Sequence, residues 1–89
     1  MAGRGVRRSI LLLVSSMSAG GRSVRLGPRI VRILRSGGWE VAVRLTTPGD
    51  DPAALAGQVA ADAIVAALGG VGYLSAVARG CHESGAIFA

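Results

Sequence analysis

Ala63-Ile-Val-Ala-Ala-Leu-Gly-Gly-Val-Gly-Tyr-Leu74 decides the fold. Residues 63–68 are an unbroken apolar run of strand length, as in a strand buried on both faces. Gly69-Gly70-Val71-Gly72 then reads as a tight glycine loop, and residues 74–79 as a helix that Gly80 ends. A turn of this kind suits phosphate. Glycine lets the backbone come close, and a helix N-terminus presents N–H groups and partial positive charge to an anion. The same turn without a ligand is the plainer reading, a tight strand-to-helix connection.

The preceding chain follows the same logic. Ser9-Ile-Leu-Leu-Leu-Val14 reads as another buried strand, followed by a small-residue loop over residues 15–21. Residues 22–36 read as a helix, with Ile30, Ile33 and Leu34 on its core face and Arg22, Arg25, Arg29 and Arg32 opposite. Pro28 either opens the regular helix or kinks it, and Gly37-Gly38 stops it. Trp39, Val41, Val43 and Leu45 alternate with Glu40 and Arg44, the pattern of a strand with one wetter face. After a turn, Asp51-Pro52 opens a helix with an acidic N-cap and a proline at the first position. Leu55, Ala56, Val59 and Ala60 carry its apolar face through to Asp62, although Gly57 weakens it by about 1 kcal/mol relative to alanine. Beyond Gly80, residues 81–85 read as a loop and Ile87-Phe88 as the start of a fourth strand.

The order β-α-β-α-β-α-(β) predicts an α/β fold. It is a three-layer α/β/α, Rossmann-like parallel sheet, here a partial domain, with right-handed crossovers and the first strand between the second and third. No repeat or long linker divides the chain: residues 1–8 are a basic tail and residues 9–89 a single lobe.

Composition narrows the function classes. A chain of 89 residues, 51% hydrophobic and 17% charged, is neither a disordered tail nor a large self-contained enzyme. The 14 glycines have no three-residue period, which excludes collagen. The lone Cys81 excludes an internal disulfide, and with the lone His82 it leaves too few ligands for structural zinc. Cys81-His82-Glu83 therefore reads as a plain segment. There is no lysine, which excludes a Walker A loop. Charge is lopsided. Residues 1–44 carry nine arginines against Glu40, and residues 45–89 carry Arg79 against Asp50, Asp51, Asp62 and Glu83. The front half therefore favours an anionic partner or forms a solvated arginine face. Nucleic acid is disfavoured, because Trp39, Tyr73 and Phe88 are scattered and read as core rather than as a stacking surface. No apolar run reaches the roughly 20 residues of a membrane span. The expected location is cytoplasmic, peripheral to a membrane at most. Arg7-Arg8, the apolar run and Ser18-Ala19-Gly20 form a twin-arginine-like export signal as the lesser alternative.

Gly70-x-Gly72-x-x-Ser75 nearly fits a dinucleotide fingerprint, but the acid that should follow about 20 residues later would lie past residue 89. Four segments make a better match in their order and spacing. They are Ser15-Ser-Met-Ser-Ala-Gly-Gly21, Arg29-Ile-Val-Arg-Ile-Leu-Arg-Ser-Gly-Gly-Trp-Glu-Val41, Leu45-Thr-Thr47 with Gly49-Asp50, and Gly69-Gly-Val-Gly-Tyr73. Together they resemble the N-terminal, nucleotide-binding half of the diacylglycerol kinase catalytic domain. That lipid kinase family includes sphingosine kinases and is distantly related to NAD kinases. Its first strand runs into an N-P-x-S-G-G loop and its third into G-G-D-G-T. The resemblance covers nearly all of residues 9–89.

It implies ATP- and Mg2+-dependent phosphoryl transfer to a lipid hydroxyl, in phospholipid metabolism. By the same resemblance Gly69, Gly70 and Gly72 lie on the nucleotide phosphates, Thr46 near the nucleotide, and Ser18 and Gly20 on the opposing loop. The departures bear on activity. Val71 stands in place of the motif's aspartate, Tyr73 in place of its threonine, and Ser15 and Ser16 in place of Asn and Pro. The family's later G-T-x-N-D motif and lipid-binding domain have no counterpart within the 89 residues. No catalytic residue or metal ligand is assigned. The expectation is the ATP-binding lobe of such a kinase, truncated and inactive as this chain alone. The alternative is a non-catalytic relic or a degenerate nucleotide- or anion-binding module. Expected partners are a nucleotide, an anionic lipid or membrane surface, and a partner chain completing the sheet. With only part of a sheet, the lobe is expected to be marginally stable or to associate.

Overall fold

The apolar run of residues 9–14 becomes the interior of the sheet. The computed structural model describes residues 8–17 and 19–89. β1 (Arg8–Ser15) pairs in parallel with β2 (Trp39–Thr46) on one side and β3 (Ile64–Leu68) on the other; β3 pairs in parallel with β4 (Ile87–Phe88). The order is β2-β1-β3-β4, with β1 between β2 and β3 as expected and β4 on the outer side of β3. Helices α1 (Arg22–Ser36), α2 (Pro52–Gly57) and α3 (Val71–Ser84) make the crossovers. β1 takes in Arg8, and the rest of the expected basic tail lies outside the described residues.

Residues in register across a parallel pair point to the same face. Leu11 and Leu13 therefore share a face with Val65 and Ala67. α2 and α3 seal that face, and Leu13, Ala56, Val65, Val77 and Cys81 form its buried cluster. Each fully buried side chain of Leu or Val size contributes about 1.5–3 kcal/mol. On the other face Ile10, Leu12 and Val14 are buried, and α1 lies over β1 and β2.

Several boundaries and faces differ from expectation, each for a packing reason. α2 is capped as expected: the Asp51 carboxylate accepts from the Ala53 and Ala54 N–H groups at 3.1 and 3.4 Å. The helix stops at Gly57 rather than continuing to Asp62. Asp62 instead takes a left-handed φ of 71°, in the turn that leads the chain into β3. α3 begins at Val71 rather than Leu74 and runs through Gly80 to Ser84, where Gly85 (φ +82°) caps it. Residues 81–85 are thus mostly the last turn of a helix, and Cys81 is core. Gly80 is a contact point, not a terminator: a Cβ there would stand 2.2 Å from the Ala53 carbonyl oxygen.

α1 has the expected bounds, with Pro28 inside it rather than at its start. Its buried residues are Ser23 and Gly27, and a Cβ on Gly27 would touch Val14 at 3.7 Å. The helix approaches the sheet through small residues, so Ile33, expected in the core, is 70% exposed. Val43 and Leu45 share α1's side of the sheet, yet each is about half exposed, because β2 is an edge strand that α1 only partly covers. Trp39 and Tyr73 are half-buried, and Phe88, expected in the core, is exposed on the two-residue β4.

Among the described residues no helix is long and apolar enough to cross a membrane. The apolar run of the export reading is the sheet's interior strand, which cleavage near Ala19 would remove. Arg7 and Ser18 of that reading lie outside the described residues.

Candidate phosphate-binding crevice

Three strands end at one crevice of about 680 Å³ at the carboxyl edge of the sheet. Ser15 closes β1, Thr46 closes β2, and Gly69 and Gly70 follow β3; all four line it with Arg22, Asp50, Gly72 and Tyr73. This is where open α/β sheets bind ligands, and the volume falls in the range of small-molecule sites.

The glycine turn delivers the N-terminus of the 14-residue α3 to the crevice. Gly70 is the N-cap, makes no side-chain cap and is followed by no acidic residue in the first turn. The first helical bond within α3 runs from the Leu74 N–H to the Gly70 carbonyl at 3.0 Å. The N–H groups ahead of Leu74 have no intrahelical partner, and the helix dipole adds partial positive charge there. The three glycines differ in kind. A Cβ on Gly69 would stand 2.6 Å from the Tyr73 ring, so that glycine is a packing requirement. Gly70 and Gly72 have no left-handed φ, and a Cβ on either would meet nothing within 4 Å. Neither the fold's conformation nor its packing asks for glycine at those two positions.

Tyr73 crosses the crevice from α3 to β2. Its hydroxyl lies 2.8 Å from Thr46 Oγ1, and Thr46, 3% exposed, in turn donates to the Val14 carbonyl at 3.3 Å. Thr46 has one proton and it goes to Val14, so Tyr73 is the donor to Thr46. Burial pushes the Tyr73 hydroxyl up from its ordinary pKa, and the nearby Asp50 charge adds to this. The expected site residue Thr46 is thus in the crevice but fully engaged by protein groups.

Asp50 was not singled out for the site by sequence reasoning, nor was Arg22. Among the described residues Asp50 is the only acidic one lining the crevice. It accepts from the Thr47 N–H at 2.9 Å and the Thr47 hydroxyl at 3.2 Å, and pairs with Arg44 at 3.5 Å. The Thr47 backbone bond is the main cause holding its pKa below the ordinary value, with Arg44 adding to it. Its place in the turn after β2 was legible as a turn but not as a site. The crevice brings together the expected Thr46, Gly69, Gly70 and Gly72. Gly20 does not line it: with Gly21 it forms a left-handed pair (φ +67° and +68°), and its carbonyl accepts from Arg25 Nη1. Ser18 lies outside the described residues.

These residues do not fit a protein-held Mg2+. Among the described residues no three His, Cys, Asp or Glu side chains converge. Asp50 is already engaged, and Val71, in the motif's aspartate position, is 83% exposed with no ligating atom. A phosphate group does fit, since the crevice offers open N–H groups and Arg22. No protein-family model and no curated protein sequence matches the chain.

Proposed function

We propose that the crevice binds the phosphates of a nucleotide, ATP first among them. The chain is then a nucleotide-binding lobe of the diacylglycerol kinase type that does not itself transfer the phosphoryl group. The observation that carries this reading is the pair Gly70 and Gly72, which the fold does not require and whose missing side chains leave the α3 N-terminus open to an anion. Arg22 supports it with a positive charge at the same crevice. The lobe lacks the chemistry for transfer. Phosphoryl transfer depends on positioning and on neutralising developing charge, and among the described residues no carboxylate at the crevice is left unengaged to organise a metal for it.

The test is a thermal-shift titration of the whole chain with ATP, with and without Mg2+, and with inorganic phosphate, beside Tyr73→Thr. ATP should stabilise the native chain saturably, by about 2.7 kcal/mol at a hundred times Kd. The shift should be the same without Mg2+, and larger in Tyr73→Thr, which opens the crevice. A shift with phosphate equal to that with ATP at matched concentration leaves the alternative, a general anion-binding module. No shift in either protein with any ligand overturns the reading.

A further inference from the structure

The two faces of the sheet differ in kind. One is sealed by α2 and α3. Among the described residues the other carries α1 alone, and most of the large exposed apolar side chains lie there: Val24, Leu26, Ile33, Val43, Leu45 and Ile87. The same face is strongly basic. α1 contains five exposed arginines, Arg22, Arg25, Arg29, Arg32 and Arg35, and no acidic residue. The described strand residues turned to this side include no acid, because Glu40 pairs in register with Ser9 and so faces the other way.

The arrangement along α1 is specific. Arg22, Leu26, Arg29 and Ile33 fall at i, i+4, i+7 and i+11, one row on the exposed side of the helix. Cations and aliphatic side chains therefore alternate in a single line. On its other flank α1 borders an apolar groove of about 250 Å³ against Val43 and Leu45.

We infer that the α1 face docks on an anionic phospholipid bilayer. Arginines beside exposed aliphatics match the two layers that such a surface presents. The guanidinium groups meet lipid phosphates, and Leu26 and Ile33 enter the boundary with the acyl chains. Nucleic acid would use the charge but not the aliphatics, and α1 offers no aromatic ring for stacking. This inference does not rest on nucleotide binding in the crevice, although Arg22 belongs to both surfaces.

The experiment is co-sedimentation of the full chain with phosphatidylcholine vesicles, with and without phosphatidylglycerol, at low and high salt. A parallel arm measures binding to single-stranded RNA. Three proteins are compared: native, Arg29→Gln/Arg32→Gln, and Ile33→Ser. The substituted side chains are all exposed, so circular dichroism and melting should match the native chain. The native chain should bind phosphatidylglycerol vesicles at low salt, weaken at high salt and ignore pure phosphatidylcholine. Each lost arginine should weaken partitioning about fivefold, so the double variant by more than tenfold. Ile33→Ser should weaken it severalfold with no change of charge. Three outcomes each overturn the inference: no binding to phosphatidylglycerol vesicles at low salt; binding unaffected by either variant; or RNA binding tighter than vesicle binding with Ile33→Ser without effect on either.

Discussion

Gly72→Ala should make the protein more stable and less able to bind nucleotide. Gly72 is the second residue of α3, its φ is not left-handed, and an added Cβ would meet nothing within 4 Å. Alanine there loses less backbone entropy on folding, and such a swap at a compatible position stabilises by about 0.4–1 kcal/mol. For a domain of this size 1 kcal/mol moves Tm by about 4–8 °C, so the expected rise is roughly 2–8 °C. The new methyl would stand at the open α3 N-terminus, where a phosphate oxygen would otherwise reach the N–H groups. The assay is a thermal melt by circular dichroism, with and without saturating ATP. The expected pattern is a higher Tm for the free protein and a smaller ATP-induced rise. A lower Tm would show that the fold needs this glycine, which removes the argument that a ligand explains it. A higher Tm with an undiminished ATP response would place the ligand elsewhere.

The opposite outcome is expected at Gly80. A Cβ 2.2 Å from the Ala53 carbonyl oxygen and 2.8 Å from Ala56 Cβ must push α2 off α3. Gly80→Ala should cost roughly 1–3 kcal/mol despite its better helix propensity, read as a lower midpoint in a urea melt. Asp50, with its folded pKa below the ordinary value, should stabilise the turn after β2 above about pH 4 and lose that contribution as pH falls through the folded pKa. Asp50→Asn should flatten that part of the stability–pH curve, and an unchanged curve would contradict it. Cys81 is 2% exposed, and burial pushes its thiol pKa up. It should react with a thiol reagent at mildly alkaline pH only at the rate of unfolding; fast labelling of the native chain would contradict its place in the core.

The strands, the place of β1 between β2 and β3 and the bounds of α1 were legible because apolar runs, glycine pairs and the alternation of strands with helices report local structure directly. Side-chain direction on α1 was not. Hydropathy singles out Ile33 for the core, but the sheet is met by Ser23 and Gly27, since the smallest residues allow the closest approach. The same blindness made Gly80 a helix end. A glycine that breaks a helix and a glycine that admits a neighbouring helix look alike in sequence, and only the position of α2 tells them apart. At the crevice, the glycine turn announced itself, while Asp50 and Arg22 did not, because long-range chain reversal brings their segments together.

Arg22 lines the crevice and also begins the basic row of α1. One residue therefore belongs to both proposed surfaces, which raises the question of whether they are one anion site read twice. The geometry answers that they are separable. Gly70 and Gly72 lie at the start of α3, whereas Arg29, Arg32 and Ile33 lie two to three turns along α1 from Arg22, roughly 10–17 Å by helical rise. Electrostatic coupling over that distance is largely screened at physiological salt. A double dissociation follows. Gly72→Ala should reduce the ATP-induced shift and keep binding to phosphatidylglycerol vesicles. Arg29→Gln/Arg32→Gln should lose the vesicles and keep the ATP shift. Arg22→Gln should weaken both. If either of the first two variants loses both activities while its melt stays native, the crevice and the α1 face are a single anion-binding surface with one function.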